Sequence, residues 1–181
     1  TTVRWMRYAR FAALGRDLSR LVLGTARFAK APLDTPTRLL DEWVEAGGNA
    51  IDMGRQYGNA EPIVGGWLRG RGRRDDVVIV TKGGHYDLET GRQRITPEDI
   101  TADLEESLVQ LGVDTIDLYL LHRDDPSKPV GPIVDTLNEH LRAGKVRENA
   151  PRFVRAALLD RDDHAADPTA VDHRANHPLE H

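Results

Sequence analysis

The chain contains no cysteine, so it forms no disulfide, no thiolate nucleophile and no thiolate metal site. It has no apolar run near the roughly 20 residues that span a bilayer. Its start, Thr1-Thr2-Val3-Arg4-Trp5, lacks the apolar core of a secretory signal. A strong charge of one sign is missing as well: a net charge of -4 over 181 residues gives no field that would hold polyphosphate, which argues against nucleic-acid binding. Hydrophobic residues amount to only 39%, yet between Leu21 and Leu141 they recur at the regular spacing of a buried core, so the chain does not read as disordered. What remains is a cytoplasmic enzyme or binding domain with no membrane or nucleic-acid partner.

Strand and helix signals alternate through that segment. Leu21-Val22-Leu23-Gly24-Thr25 reads as a short strand, and Thr35-Pro36 as the cap and first position of a helix that carries Leu39, Leu40, Trp43 and Val44 to Gly47-Gly48. Asn49-Ala50-Ile51-Asp52 is a second strand. It is followed by a helix with Ile63, Val64, Trp67 and Leu68 ending near Gly70, then by the β-branched run Val77-Val78-Ile79-Val80-Thr81. Thr96-Pro97-Glu98-Asp99 opens a third helix that ends at Gly112. Ile116 to Leu121 is a fourth strand, and Val130 to Leu141 a fourth helix stopped by Gly144. The alternation predicts a parallel sheet with right-handed crossovers. Upstream, Arg7 to Ser19 predicts a hairpin turning near Gly15-Arg16-Asp17. After Arg147 the pattern stops, so the chain divides into an α/β unit over 1-147 and a divergent, irregular tail over 148-181.

In parallel α/β folds, functional side chains gather at the carboxyl ends of the strands. Asp52 closes the second strand, Tyr57 lies in the loop after it, Lys82 closes the third and His122 closes the fourth. A carboxylate, a phenol, an ammonium and an imidazole on one rim make a proton-transfer site. The ammonium would favour the phenolate, Asp52 would keep Lys82 charged, and His122 would hydrogen-bond a carbonyl oxygen. Singly, each also suits a plain role: a loop acid, a packed aromatic, a solvated strand end, a satisfied polar group. The basic run Arg69 to Arg74 reads as a solvated loop. His173, His177 and His181 have metal-like spacing, but Pro178 breaks the helix they would need, so no metal site is expected.

Gly24-Thr25, Gly47-Gly48-Asn49-Ala50-Ile51-Asp52 with Tyr57-Gly58 and Glu61, Thr81-Lys82, Asp117 to His122, and Gly144-Lys145-Val146-Arg147 together resemble the aldo-keto reductase family, in order and over most of Leu21 to Arg147. The resemblance implies a (β/α)8 TIM barrel and NADPH-dependent reduction of a small carbonyl substrate, an aldehyde or a ketone. Tyr57 would be the proton donor, Lys82 and Asp52 would tune it, and His122 would place the carbonyl, with Gly24, Thr25 and Asp52 beside the nicotinamide. Eight strand-helix units need about 250 residues, so 181 predict a truncated, partial barrel of about four units after the hairpin. Where the family has a Gly-x-Ser-Asn type segment, this chain reads Glu148-Asn149-Ala150-Pro151-Arg152. Impaired activity and weak NADPH binding are expected on that ground. Two alternatives stay open: a catalytically silent partial barrel acting as a structural or partner-binding module, and a metal-dependent lyase or isomerase. Uncovered sheet edges, with Ile51, Val78, Val80 and Leu120 short of neighbours, predict either a homo-oligomer that pairs those edges or a loosely packed monomer.

Overall fold

The computed structural model describes residues 6-32 and 34-147. The calls on 148-181, the spaced histidines included, lie outside the described residues. A hairpin of β1 (Tyr8–Phe11) and β2 (Arg16–Ser19) comes first. Four β-α pairs follow: β3 (Leu23–Gly24) with α1 (Thr35–Glu45), β4 (Ala50–Asp52) with α2 (Ala60–Arg71), β5 (Val78–Gly83) with α3 (Pro97–Leu111), and β6 (Leu118–Leu121) with α4 (Val130–Arg142). The strands are parallel and lie side by side in the order β3-β4-β5-β6. The fold is therefore the expected α/β partial barrel of four units. A parallel bridge between Ile116 and Val146 carries the sheet one step past β6, so the chain after α4 already returns to the wall.

Local chemistry explains both ends of α3. The Thr96 hydroxyl accepts the Asp99 N–H at 3.2 Å, Pro97 occupies the first turn, and Gly112, at φ 65°, closes α3 in the left-handed region that favours glycine. Three ends differ from expectation. The first strand pairs only at Leu23 and Gly24, because Ser19 and Arg20 are tied to the hairpin and to Asn49, which leaves Leu21 and Val22 exposed before the sheet begins. Thr35 is the first helical residue, with Asp34 at the cap position. The hairpin turns one step earlier than expected, over 12-15, so Arg16 and Asp17 belong to β2. Hydrogen bonds from Asn49 to Asp17 and from Tyr8 to Gly47 seat it against the amino ends of the strands.

Strand alternation sorts side chains into two faces. Asp52, Val80 and Lys82 share one face, on which the Lys82 ammonium reaches Asp52. Ile51, Ile79 and Thr81 point the other way, where Thr81 bonds Glu61 of α2. This corrects the expectation that Ile51 and Val78 lack neighbours: both are fully buried, Ile51 because it faces the helix layer rather than the open side. Val80 is buried too, and Leu120 is half-buried. The basic run is not a free loop either. Arg69 donates to the Leu111 carbonyl, Arg71 pairs with Asp41, Arg73 with Asp76, and Arg74 with the buried carboxylate of Asp117. Among the described residues no helix is long and apolar enough to cross a membrane.

Helices α2 and α3 meet backbone to backbone at Gly65. A Cβ there would lie 2.4 Å from the Leu111 carbonyl oxygen and 2.8 Å from that of Gln110, both backbone atoms that cannot move alone, whereas a Cβ on the neighbouring Gly66 would meet nothing within 4 Å. Gly65→Ala is expected to destabilise the chain by about 1 to 3 kcal/mol through overpacking, which outweighs the helix-propensity gain. Gly66→Ala should stabilise it by up to about 1 kcal/mol. Urea denaturation of the two variants checks the contrast, and equal midpoints would refute the packing argument.

Candidate active site

The carboxyl ends of β4, β5 and β6 bring four of the expected residues to one rim. Asp52 is the last residue of β4 and Lys82 the fifth of β5. His122 follows β6, held in line by its N–H on the Gly83 carbonyl at 2.8 Å. Tyr57 sits in a tight turn after β4 that is closed by its own N–H on the Gly54 carbonyl at 2.8 Å. The Arg55 N–H bonds the Lys82 carbonyl at 3.0 Å, which ties that turn to the end of β5.

The side chains converge on Lys82. Its ammonium donates to both carboxylate oxygens of Asp52, at 2.6 and 2.7 Å, and to the Met53 carbonyl at 2.7 Å. With only 15% of the lysine side chain exposed, this is a desolvated ion pair whose donors are all used. The same ammonium lies 5.2 Å from the centre of the Tyr57 ring, and the His122 ring stands edge-on to that ring at 5.8 Å. Four groups of different chemistry thus face one small volume.

Gly24 and Thr25 lie next to Asp52. Gly24 is opposite Asp52 in the parallel register, and nothing stands within 4 Å of where its Cβ would be, so the strand end offers an open floor there. Thr25 is buried and donates both its N–H and its hydroxyl to the Asp52 carbonyl, each at 3.0 Å. Its first duty is to brace the backbone of Asp52.

Two further residues belong to the rim that sequence reasoning did not name. The Gln56 amide contacts His122 Nδ1. The same amide nitrogen lies 3.3 Å from Nε2, so Gln56 stands against both ring nitrogens. His85, nearly buried in the loop after β5, packs edge-on to His122 at 4.8 Å and against Tyr86 at 4.3 Å. The only signal for Gln56 was its place before Tyr57, and for His85 its place three residues after Lys82. Burial, and then the nearby His85, Lys82 and Arg123, push the His122 pKa down to about 4. Glu61, part of the motif, goes elsewhere: it is fully buried on the helix face, accepts the Thr81 hydroxyl at 2.6 Å, and its carboxyl is raised by burial.

Comparison with known proteins finds one family. The model of the Aldo/keto reductase family matches residues 20-171. The chain is 33% identical over 138 residues to the aldo-keto reductase str7 of Strobilurus tenacellus, covering 76% of this chain and 40% of that protein. It is 36% identical over 94 residues to the aldo-keto reductase yakc [NADP(+)] of Schizosaccharomyces pombe, covering 50% and 28%. Among solved structures, the holo form of the aldo-keto reductase AKR11C1 from Bacillus halodurans superposes with a TM-score of 0.68 at 26% identity, over 78% of this chain and 48% of that one. The chain spans less than half the length of these relatives.

His122 should stay neutral throughout the physiological range. In a proton NMR titration its ring signals are expected to hold steady from pH 8 to pH 5 and to move only towards about 4. Because the unfolded imidazole titrates near 6.5, the unfolded chain binds the extra proton between 6.5 and 4, so this group removes stability as pH falls through that window. A midpoint at 6 or above would contradict the burial argument.

Proposed function

The chain belongs to the aldo/keto reductase family, and from that premise we propose that its Tyr57-Lys82-Asp52-His122 rim reduces aldehydes and ketones with NADPH. The observation that carries this reading is the Lys82 ammonium, bonded to both oxygens of Asp52 while standing 5.2 Å from the Tyr57 ring, with His122 edge-on to the same ring. That arrangement is organised for a proton to leave a phenol beside a fixed cation.

The residues present fit the nicotinamide end of such a cofactor. Gly24 leaves open space at the strand end, and the Thr25 bonds hold the adjacent Asp52 backbone in place. Bound there, NADPH would supply a hydride to the carbonyl carbon. The protein's own part is the proton and the oxygen. His122, kept neutral, hydrogen-bonds the carbonyl oxygen through a ring N–H and orients it without placing a second full charge next to Lys82. Tyr57 gives its hydroxyl proton to that oxygen, which becomes the alcohol oxygen. Lys82 stabilises the phenolate left behind, and Asp52 keeps the ammonium from turning away. Recovery of a proton from water resets Tyr57.

Two variants test this on the full chain with NADPH and a simple aromatic aldehyde. Tyr57→Phe is expected to lower kcat by about a hundredfold or more, the usual contribution of a positioned general acid, while NADPH still quenches or enhances fluorescence as it does with the unaltered chain. Lys82→Met, which keeps the stem and deletes the charge, should lower kcat. Full kcat in Tyr57→Phe would remove it from the reaction. Failure of the unaltered chain to bind NADPH would favour the silent, partner-binding module.

A further inference from the structure

Asp103 lies in the middle of α3, outside the four-residue rim, yet its side chain is only 1% exposed. Three segments meet on it. Oδ2 accepts the Gly84 N–H at 2.8 Å, two residues past Lys82. Oδ1 pairs with Arg55 Nε at 3.2 Å, two residues before Tyr57, and with the Arg94 guanidinium from the loop ahead of α3. Arg55 is the link that matters most for the rim, because its N–H bonds the Lys82 carbonyl while its guanidinium reaches past to Asp103 and to Glu106 at 2.5 Å. Arg94 is shared with Asp99 at 3.4 Å, and Arg92 pairs with Asp99 at 2.8 Å, so three arginines and three carboxylates are mutually paired.

We propose that Asp103 is a positioning residue: its buried carboxylate clamps the Tyr57 turn and the Lys82 strand end to one helix and so sets the spacing between phenol and ammonium. The consequence for chemistry rests on the reductase reading above; the clamp itself does not. Space around it is closed, since a Cβ on Gly83 would lie 1.9 Å from the Tyr119 hydroxyl oxygen and 2.8 Å from the Asp103 Cβ. The strand end therefore cannot slide towards α3 to make up for a lost bond. Asparagine at this position keeps the shape but turns an N–H group towards Arg55 and Arg94, or towards Gly84, so one set of donors loses its acceptor.

The experiment compares Asp103→Asn, Arg55→Gln and the double variant by amide hydrogen exchange on the free chain and by steady-state reduction. Exchange at residues 55-58 and 83-85 should accelerate about tenfold or more in each single variant, with β4 and the centre of α3 as protected as before. In reduction, kcat should fall by about tenfold to a hundredfold, the cost of misplacing reacting groups by about an ångström, with the aldehyde KM little changed. The double variant should be no worse than Asp103→Asn alone, as coupled partners require. Unchanged exchange at 55-58, or a uniform rise over the whole chain, would overturn the proposal. Should Asp103→Asn fail to fold, the half-exposed end of the link, Arg55→Gln, carries the same exchange criterion. An unaltered chain that reduces no aldehyde would sink the reductase reading alone, and exchange would still decide the clamp.

Discussion

A lysine ammonium at the edge of a sheet, with most of its side chain out of water, must be fully surrounded by acceptors, and everything at the rim follows from how Lys82 meets that demand. All three acceptors come from one neighbouring stretch, Asp52 and Met53. The parallel register that sets Asp52 opposite Val80 is what brings Lys82, one layer further along, within reach. A slip of one residue between β4 and β5 would turn Lys82 to the helix face occupied by Ile79 and Thr81, and leave a buried charge without partners. The pair is thus a register lock as well as a chemical device.

The strand that carries Lys82 is held at both ends by a buried aspartate. At its start, Asp117 accepts the Ile79 N–H at 2.8 Å and pairs with Arg74 and Arg147. Past its end, Asp103 accepts the Gly84 N–H and pairs with Arg55 and Arg94. Both carboxylates are 1% exposed, and each is compensated by two guanidiniums, which is the condition under which a buried charge is tolerated. The apolar layer of Ile51, Ile79, Ile100, Leu104 and Leu111 fills the space between. Core packing fixes how far the helices stand from the sheet, and the two charged clusters fix where along its axis β5 sits.

The rim also separates its charges. The Lys82 ammonium stands over the Tyr57 ring, and His122, though ringed by His85, Lys82 and Arg123, is kept neutral by burial and by those same neighbours. An imidazolium there would compete with Lys82 for Asp52 and would need a counterion of its own. A neutral imidazole still carries one ring N–H, so it can direct a hydrogen bond without adding charge.

The sequence by itself determined the features that rest on short-range physics. Val77 to Thr81 reads as a strand because β-branched residues suit a sheet buried on both faces, and Thr96 to Gly112 reads as a helix because its cap, proline and terminal glycine are local signals. Asp52, Lys82 and His122 were legible for the same reason: each is a polar residue where an apolar run stops. Only the tertiary structure decided which distant groups meet. Within Asp103-Leu104-Glu105-Glu106 three acids look alike along the chain, yet Asp103 is buried against Gly84 and Arg55, Glu105 pairs with Lys145 at the surface, and Glu106 shares Arg55 with Asp103. Gln56 against His122 and Thr25 against Asp52 are likewise matters of register and packing. A residue's type states what it can bond, but its partner is set by where α3 docks on β5, and that depends on the volumes of the whole core rather than on any neighbouring letters.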